Sequence, residues 1–149
     1  MALTGDFFGL KRIERNLREL AKVPSQAARL AATKIDALVR EEYDQGANAY
    51  GQAWAKLAPS TIAKGRFPPP LSDTRAMRDG TTVTPTSGAG ITVRFAAPYS
   101  TFHHTGFRVG QTNVPARPVA PTGAGLPPSW QLALRSACAE ATAARLGAR

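Results

Sequence analysis

Hydrophobic residues recur at three- and four-residue steps near the start of the chain. Phe7, Leu10, Ile13, Leu17 and Leu20 stand among Lys11, Arg12, Arg15, Arg18 and Glu19, a spacing that predicts an amphipathic helix over residues 6–22. Thr4 or Asp6 is placed to cap its start. Pro24 lacks an N–H, so it ends this helix or opens the next one. A second helix is expected over residues 24–44, with Ala27, Leu30, Ala31, Ile35, Leu38 and Val39 as its apolar stripe and Gly46 as its stop. Glu41, Glu42 and Asp44 crowd its C-terminal end, where the helix dipole disfavours negative charge. That conflict calls for a basic neighbour, with another subunit as one source.

No period persists between residues 46 and 80. Pro68, Pro69 and Pro70 impose a short extended stretch, and a loop this long in a compact domain is usually functional or ordered by a partner. Period two returns where Ile91, Val93 and Phe95 alternate with Thr92 and Arg94, which predicts a half-buried strand. Residues 81–86 supply a strand before it, Ser87-Gly88-Ala89-Gly90 supplies the turn, and Pro85 confines the first strand to an edge or a bulge. After Pro98 a turn or short helix is expected to carry Tyr99, Phe102 and His103 up to Gly106. Residues 107–127 read as irregular. Residues 128–146 read as a last helix capped by Ser129, with Trp130, Leu134, Ala137, Cys138, Ala141 and Leu146 on one face. The plan is α+β: N-terminal helices, a small antiparallel hairpin, long loops and a C-terminal helix. Residues 1–149 are expected to form one domain, with residues 1–23 as a peripheral arm.

Composition makes the expected core modest. The chain has 149 residues and is 43% hydrophobic but only 7% aromatic, and much of that apolar fraction is alanine. Thirteen glycines and twelve prolines favour long irregular segments that lean on neighbouring subunits for order. The formal charge is +9, so acidic partners come into view. Arg94, Arg108, Arg117, Arg135, Arg145 and Arg149 face only Glu140 in the second half. That bias suits nucleic acid or an acidic protein surface, and equally a solvated basic face. Cys138 stands alone among alanines, which reads as a small core residue. No leader pattern opens the chain and no apolar run approaches the roughly 20 residues that span a bilayer, so no membrane association is expected and synthesis in a cytoplasm is.

Motifs for chemistry are missing. His103 and His104 are adjacent and point in different directions, so one metal ion does not readily take both, and His103 is expected to pack near Tyr99 and Phe102. No serine lies in a nucleophile elbow, and Gly88 with Gly90 is followed by no phosphate-binding lysine. Asp73 and Asp79 are merely near each other in a loop. No enzymatic activity, cofactor or metal is expected. Arg94-Phe95 and Phe107-Arg108 keep a rival open: a basic protein that binds nucleic acid without reading its sequence.

Four segments in order carry a family likeness. Gly51-Gln52-Ala53-Trp54-Ala55-Lys56-Leu57 follows Glu42-Tyr43 and precedes Pro59-Ser60-Thr61 and Lys64. Leu71-Ser72-Asp73-Thr74-Arg75-Ala76-Met77 comes next, then the hairpin, then Pro98-Tyr99-Ser100-Thr101-Phe102-His103-His104-Thr105-Gly106, then Ala116-Arg117-Pro118. Over residues 35–146 this order resembles the virion-morphogenesis and tail-completion (neck) proteins of Mu-like and related tailed phages. Asp73-Thr74-Arg75 stands where that family usually has Thr-Gly, Ser100 replaces a common alanine, and Arg117-Pro118-Val119-Ala120 replaces Arg-Pro-Phe-Leu. The resemblance implies a structural virion subunit at the head–tail joint, acting in ring-like copies with a hexamer among the candidate sizes. Its implied partners are other neck, connector and tail proteins, with packaged DNA as a further candidate near a basic lumen. Trp54 and Leu57 would form a hydrophobic wedge, against a neighbour or against their own core. Tyr99, Phe102 and His103 would fix the hairpin against the helices, and Arg108 and Arg117 would present the arginine loop. Loops 58–80 and 107–127 are the expected partner-contacting parts.

Overall fold

A computed structural model describes residues 7–123 and 125–147. The expected caps Thr4 and Asp6, and the side chains of Phe7 and Leu10, lie outside the described residues. Ten elements follow one another among those described: α1 (Phe7–Leu20), α2 (Val23–Gln45), α3 (Pro59–Ile62), α4 (Ala76–Asp79), β1 (Thr81–Pro85), β2 (Ile91–Phe95), α5 (Ser100–Thr105), β3 (Phe107–Val109), β4 (Thr112–Val114) and α6 (Pro128–Leu146). The class is α+β, with two separate two-stranded antiparallel sheets.

Helix α2 is the backbone of the fold. Pro24 sits in its first turn and Gly46 closes it in the left-handed region, φ 66° and ψ 40°. Ala27, Ala28, Ala31, Ala32, Ile35 and Val39 are buried along it, and α6 meets it with Ala133, Ala137 and Ala141. Small side chains on both helices allow close approach. Lys34–Glu140 at 2.9 Å and Arg145–Gln26 at 2.8 Å tie the two at their margins. Below this alanine seam the core widens around Ile35, Val39, Tyr43, Trp54, Met77, Val119 and Trp130. Helix α1 joins through the Arg145–Glu19 contact at 3.1 Å, while Ile13 and Leu17 on its apolar stripe are 55% and 61% exposed.

Strands β1 and β2 pair from Thr81 with Phe95 to Pro85 with Ile91, and Thr86 N–H bonds Gly90 O across the turn. Pro85 ends the ladder, as an edge position permits. Val83, Ile91, Val93 and Phe95 are the half-buried face turned to the core.

Several expectations need correction. Ser129 is inside α6, not its cap; Pro127 holds that position and no side chain bonds there. Cys138 is exposed, because the buried stripe of α6 runs Trp130, Ala133, Ala137, Ala141 and passes it by; Leu146 is likewise 45% exposed. Residues 107–127 are not wholly irregular, since β3 and β4 pair Phe107 with Val114 and Val109 with Thr112. The Gly110-Gln111 turn between them, with Gly110 at φ 58°, was the overlooked signal. The long loop before β1 contains the single turns α3 and α4. The acidic end of α2 is relieved within the chain, by Arg78 gripping both oxygens of Asp44 at 2.9 and 2.8 Å.

Candidate functional site

Segments 51–57 and 98–106 both bond to Arg117. Its guanidinium donates from Nε and Nη2 to the Ala55 carbonyl at 3.2 and 3.1 Å, and from Nη2 to the Lys56 carbonyl at 3.4 Å. Its backbone N–H donates to the His103 carbonyl at 2.7 Å. One residue later Pro118 accepts the Trp54 indole N–H at 3.1 Å, and Val119 N–H donates to His104 Nδ1 at 3.4 Å. The arginine loop is thereby stitched to the Trp54 stretch on one side and to α5 on the other.

Trp54 faces inward. It is 6% exposed and stacks edge-on against Tyr43 with ring centroids 5.8 Å apart. Of the two expected meanings for the Trp54–Leu57 pair, Trp54 therefore takes the one of packing onto its own core. Leu57 instead lines a cleft of about 590 Å³ between the Lys56–Ser60 stretch, the Arg66–Met77 loop, α5 and the β3–β4 hairpin.

This cleft gathers Leu57, Phe67, Leu71, Tyr99, His103 and Phe107 with Lys56, Arg66, Asp73 and Arg117. Arg66 pairs with Asp73 at its edge. Arg117 differs: it is only 5% exposed and has no carboxylate beside it among the described residues. Burial pushes its pKa down from the usual value, the expected sign for a cation taken out of water without a counter-charge. His103 is held below the ordinary histidine range by burial and then by the Arg117 charge, and its Nδ1 is buried without a partner among the described residues. His104 is lowered by burial alone.

The ring contacts of Phe102 and His103 lie on the β3–β4 hairpin. Phe102 and His103 each meet Phe107 of β3 edge-on at 5.8 Å, and Tyr99 meets His103 at 5.8 Å. It is His104, absent from the candidate residues, whose ring lies against Phe95 of β2 at 6.0 Å. The adjacent histidines thus face two hairpins, as the roughly 100° step between neighbours on helix α5 allows. Phe102 remains 57% exposed, and Arg108 is exposed with its Nε on the Gly110 carbonyl at 3.1 Å. Among the described residues no three histidine, cysteine or acidic side chains stand together as a metal site, and no helix is long and apolar enough to cross a membrane.

No protein-family model matches this chain, and no curated protein or solved structure matches it either.

Proposed function

We propose that the chain is a non-catalytic structural subunit of a tailed-phage neck, acting in tail completion and head–tail joining as a ring-forming oligomer in the virion. The observation that carries this reading is the junction at Arg117. Segments 51–57, 71–77, 98–106 and 116–118 are far apart in sequence, yet all four border one cleft or bond across it. Motifs that meet in space support the view that their order in sequence reflects a common build rather than coincidence. Within Asp73-Thr74-Arg75, the stretch that departs from the family's Thr-Gly, Arg75 adopts φ 55° and ψ 5°, a conformation glycine takes freely.

The surface suits an assembly role. Ile13 and Leu17 of α1, four residues apart on one helix face, are each more than half exposed, an apolar stripe of the kind that favours burial against another subunit.

Electron microscopy of lysates from a phage lacking the gene tests the reading. Full heads beside unattached tails are the expected outcome. Normal infectious particles would remove it, and salt-dependent DNA binding by a stable monomer would favour the basic nucleic-acid-binding alternative.

A further inference from the structure

The cleft above Arg117 combines features seldom found together. Its walls include Leu57, Phe67, Leu71, Tyr99 and Phe107, an apolar surface of the kind that receives side chains. Its volume of about 590 Å³ accommodates one or two residues of a peptide rather than a helix. At its base lies a guanidinium that is 5% exposed. Nε and Nη2 are spent on the carbonyls of Ala55 and Lys56, and Nη1 takes no bond from any described residue. Carbonyl oxygens satisfy donors but do not neutralise the charge, and an unpaired buried charge is costly. Lys56 and Arg66 make the rim basic as well.

Among the described residues no carboxylate of this chain pairs with Arg117. Glu14, Glu19, Asp36, Asp44, Asp73, Asp79 and Glu140 each pair with a lysine or arginine of the same molecule. Glu41 accepts a bond from Gln45, and Glu42 is buried beneath Trp130. Among the described residues Glu41 alone is an exposed carboxylate without a cation partner. A second copy of a chain with a formal charge of +9 is repelled by this basic rim, so a different, acidic protein is the better-matched source. A phosphate backbone fits poorly too, because it would lay repeated charge over an apolar floor beside the Asp73 carboxylate.

We infer that this cleft is a docking site for an extended segment of a different, acidic protein, which seats an apolar side chain against Leu57, Tyr99 and Phe107 and places a neighbouring carboxylate on Arg117. The inference rests on the assembly reading only for what the partner belongs to.

The test titrates the full ¹⁵N-labelled chain with N-acetyl-Leu-Glu-Phe-amide and follows the Arg117 Nε–H, Tyr99 and Phe107 resonances. Saturable shifts at all three are expected. N-acetyl-Leu-Gln-Phe-amide should bind about tenfold more weakly, the scale of a hydrogen bond to a charged group. Thr74→Trp, an exposed position on the cleft wall, should abolish the response while leaving the remaining spectrum intact. Equal binding of the two peptides, no movement at Arg117 at millimolar peptide, or unchanged binding by Thr74→Trp overturns the assignment. So does a short DNA duplex that moves the same resonances more strongly than the acidic peptide. Because the titration uses isolated protein, it can succeed where the gene-deletion phage forms normal particles, and it can fail where particles are defective. The two readings therefore stand or fall separately.

Discussion

The indole N–H of Trp130 donates to Glu42 Oε1 at 3.1 Å, joining the first turn of α6 to the last turns of α2. The second carboxylate oxygen is buried with no partner among the described residues. A carboxylate so placed is unstable as an anion. Burial, and then the charge of Glu41, push the Glu42 pKa up to about 7 against the Trp130 bond that lowers it.

A pH dependence follows. The unfolded chain releases the Glu42 proton near the ordinary glutamate value of 4.5, while the folded chain keeps it to about 7. The folded state binds more protons between those values, so this group's contribution to stability is full at low pH and is lost as pH rises through that window. The loss is roughly 3 kcal/mol at most. His103 and His104, with lowered values, oppose it by favouring the folded state as pH rises toward 6.5. The difference between wild type and Glu42→Gln in urea unfolding at pH 5 and pH 8 isolates the carboxyl. The variant should gain relative to wild type at the higher pH; an unchanged difference would sink the assignment.

Trp54 contributes separately through its ring and its N–H. Trp54→Phe keeps packing against Tyr43 but leaves the Pro118 carbonyl without its donor, an expected loss of about 1–2 kcal/mol. Trp54→Ala also empties the core and should cost about 3–5 kcal/mol. Denaturant midpoints of both variants check the separation, and equal losses would show that the ring adds nothing beyond its N–H.

Two glycines with similar φ should respond unequally to alanine. Gly106 has φ 76° and ψ 160°, and a Cβ there would meet Ala116 N at 2.9 Å and Val114 O at 3.0 Å. Gly51 has φ 78° with open space around it. Gly51→Ala should cost about 1 kcal/mol from backbone strain alone. Gly106→Ala adds a clash with the arginine loop and should cost more, about 2–3 kcal/mol. Equal melting temperatures for the two variants would contradict the close approach.

Arg75 holds a left-handed conformation at the start of α4 without being glycine. Arg75→Gly removes strain of about 1 kcal/mol but adds freedom to the unfolded chain of similar size. Thermal unfolding should therefore shift little, whereas a drop of several degrees would show that the side chain itself holds the turn.

What was legible in the sequence was periodic. The 3.6-residue stripes of α1, α2 and α6, the stop at Gly46 and the alternation of β2 are local patterns, and helix and strand geometry convert such patterns directly into elements. Cys138 marks where local reading ended, because its alanine neighbours are alike in sequence and only contact with α2 selects Ala137 and Ala141 for burial. The β3–β4 hairpin was obscured by its three-residue strands, too short to show a period.

The candidate site divided the same way. The resemblance of the four ordered segments to a known family pointed to Trp54, Leu57, Tyr99, Phe102, His103, Arg108 and Arg117. Only tertiary structure decided that Trp54 turns inward, that His104 rather than its neighbour meets β2, and that Arg117 is buried against the carbonyls of Ala55 and Lys56. The physical reason is range. Periodicity is a property of neighbours along the chain, whereas the burial of a charge depends on which distant segments the fold closes over it.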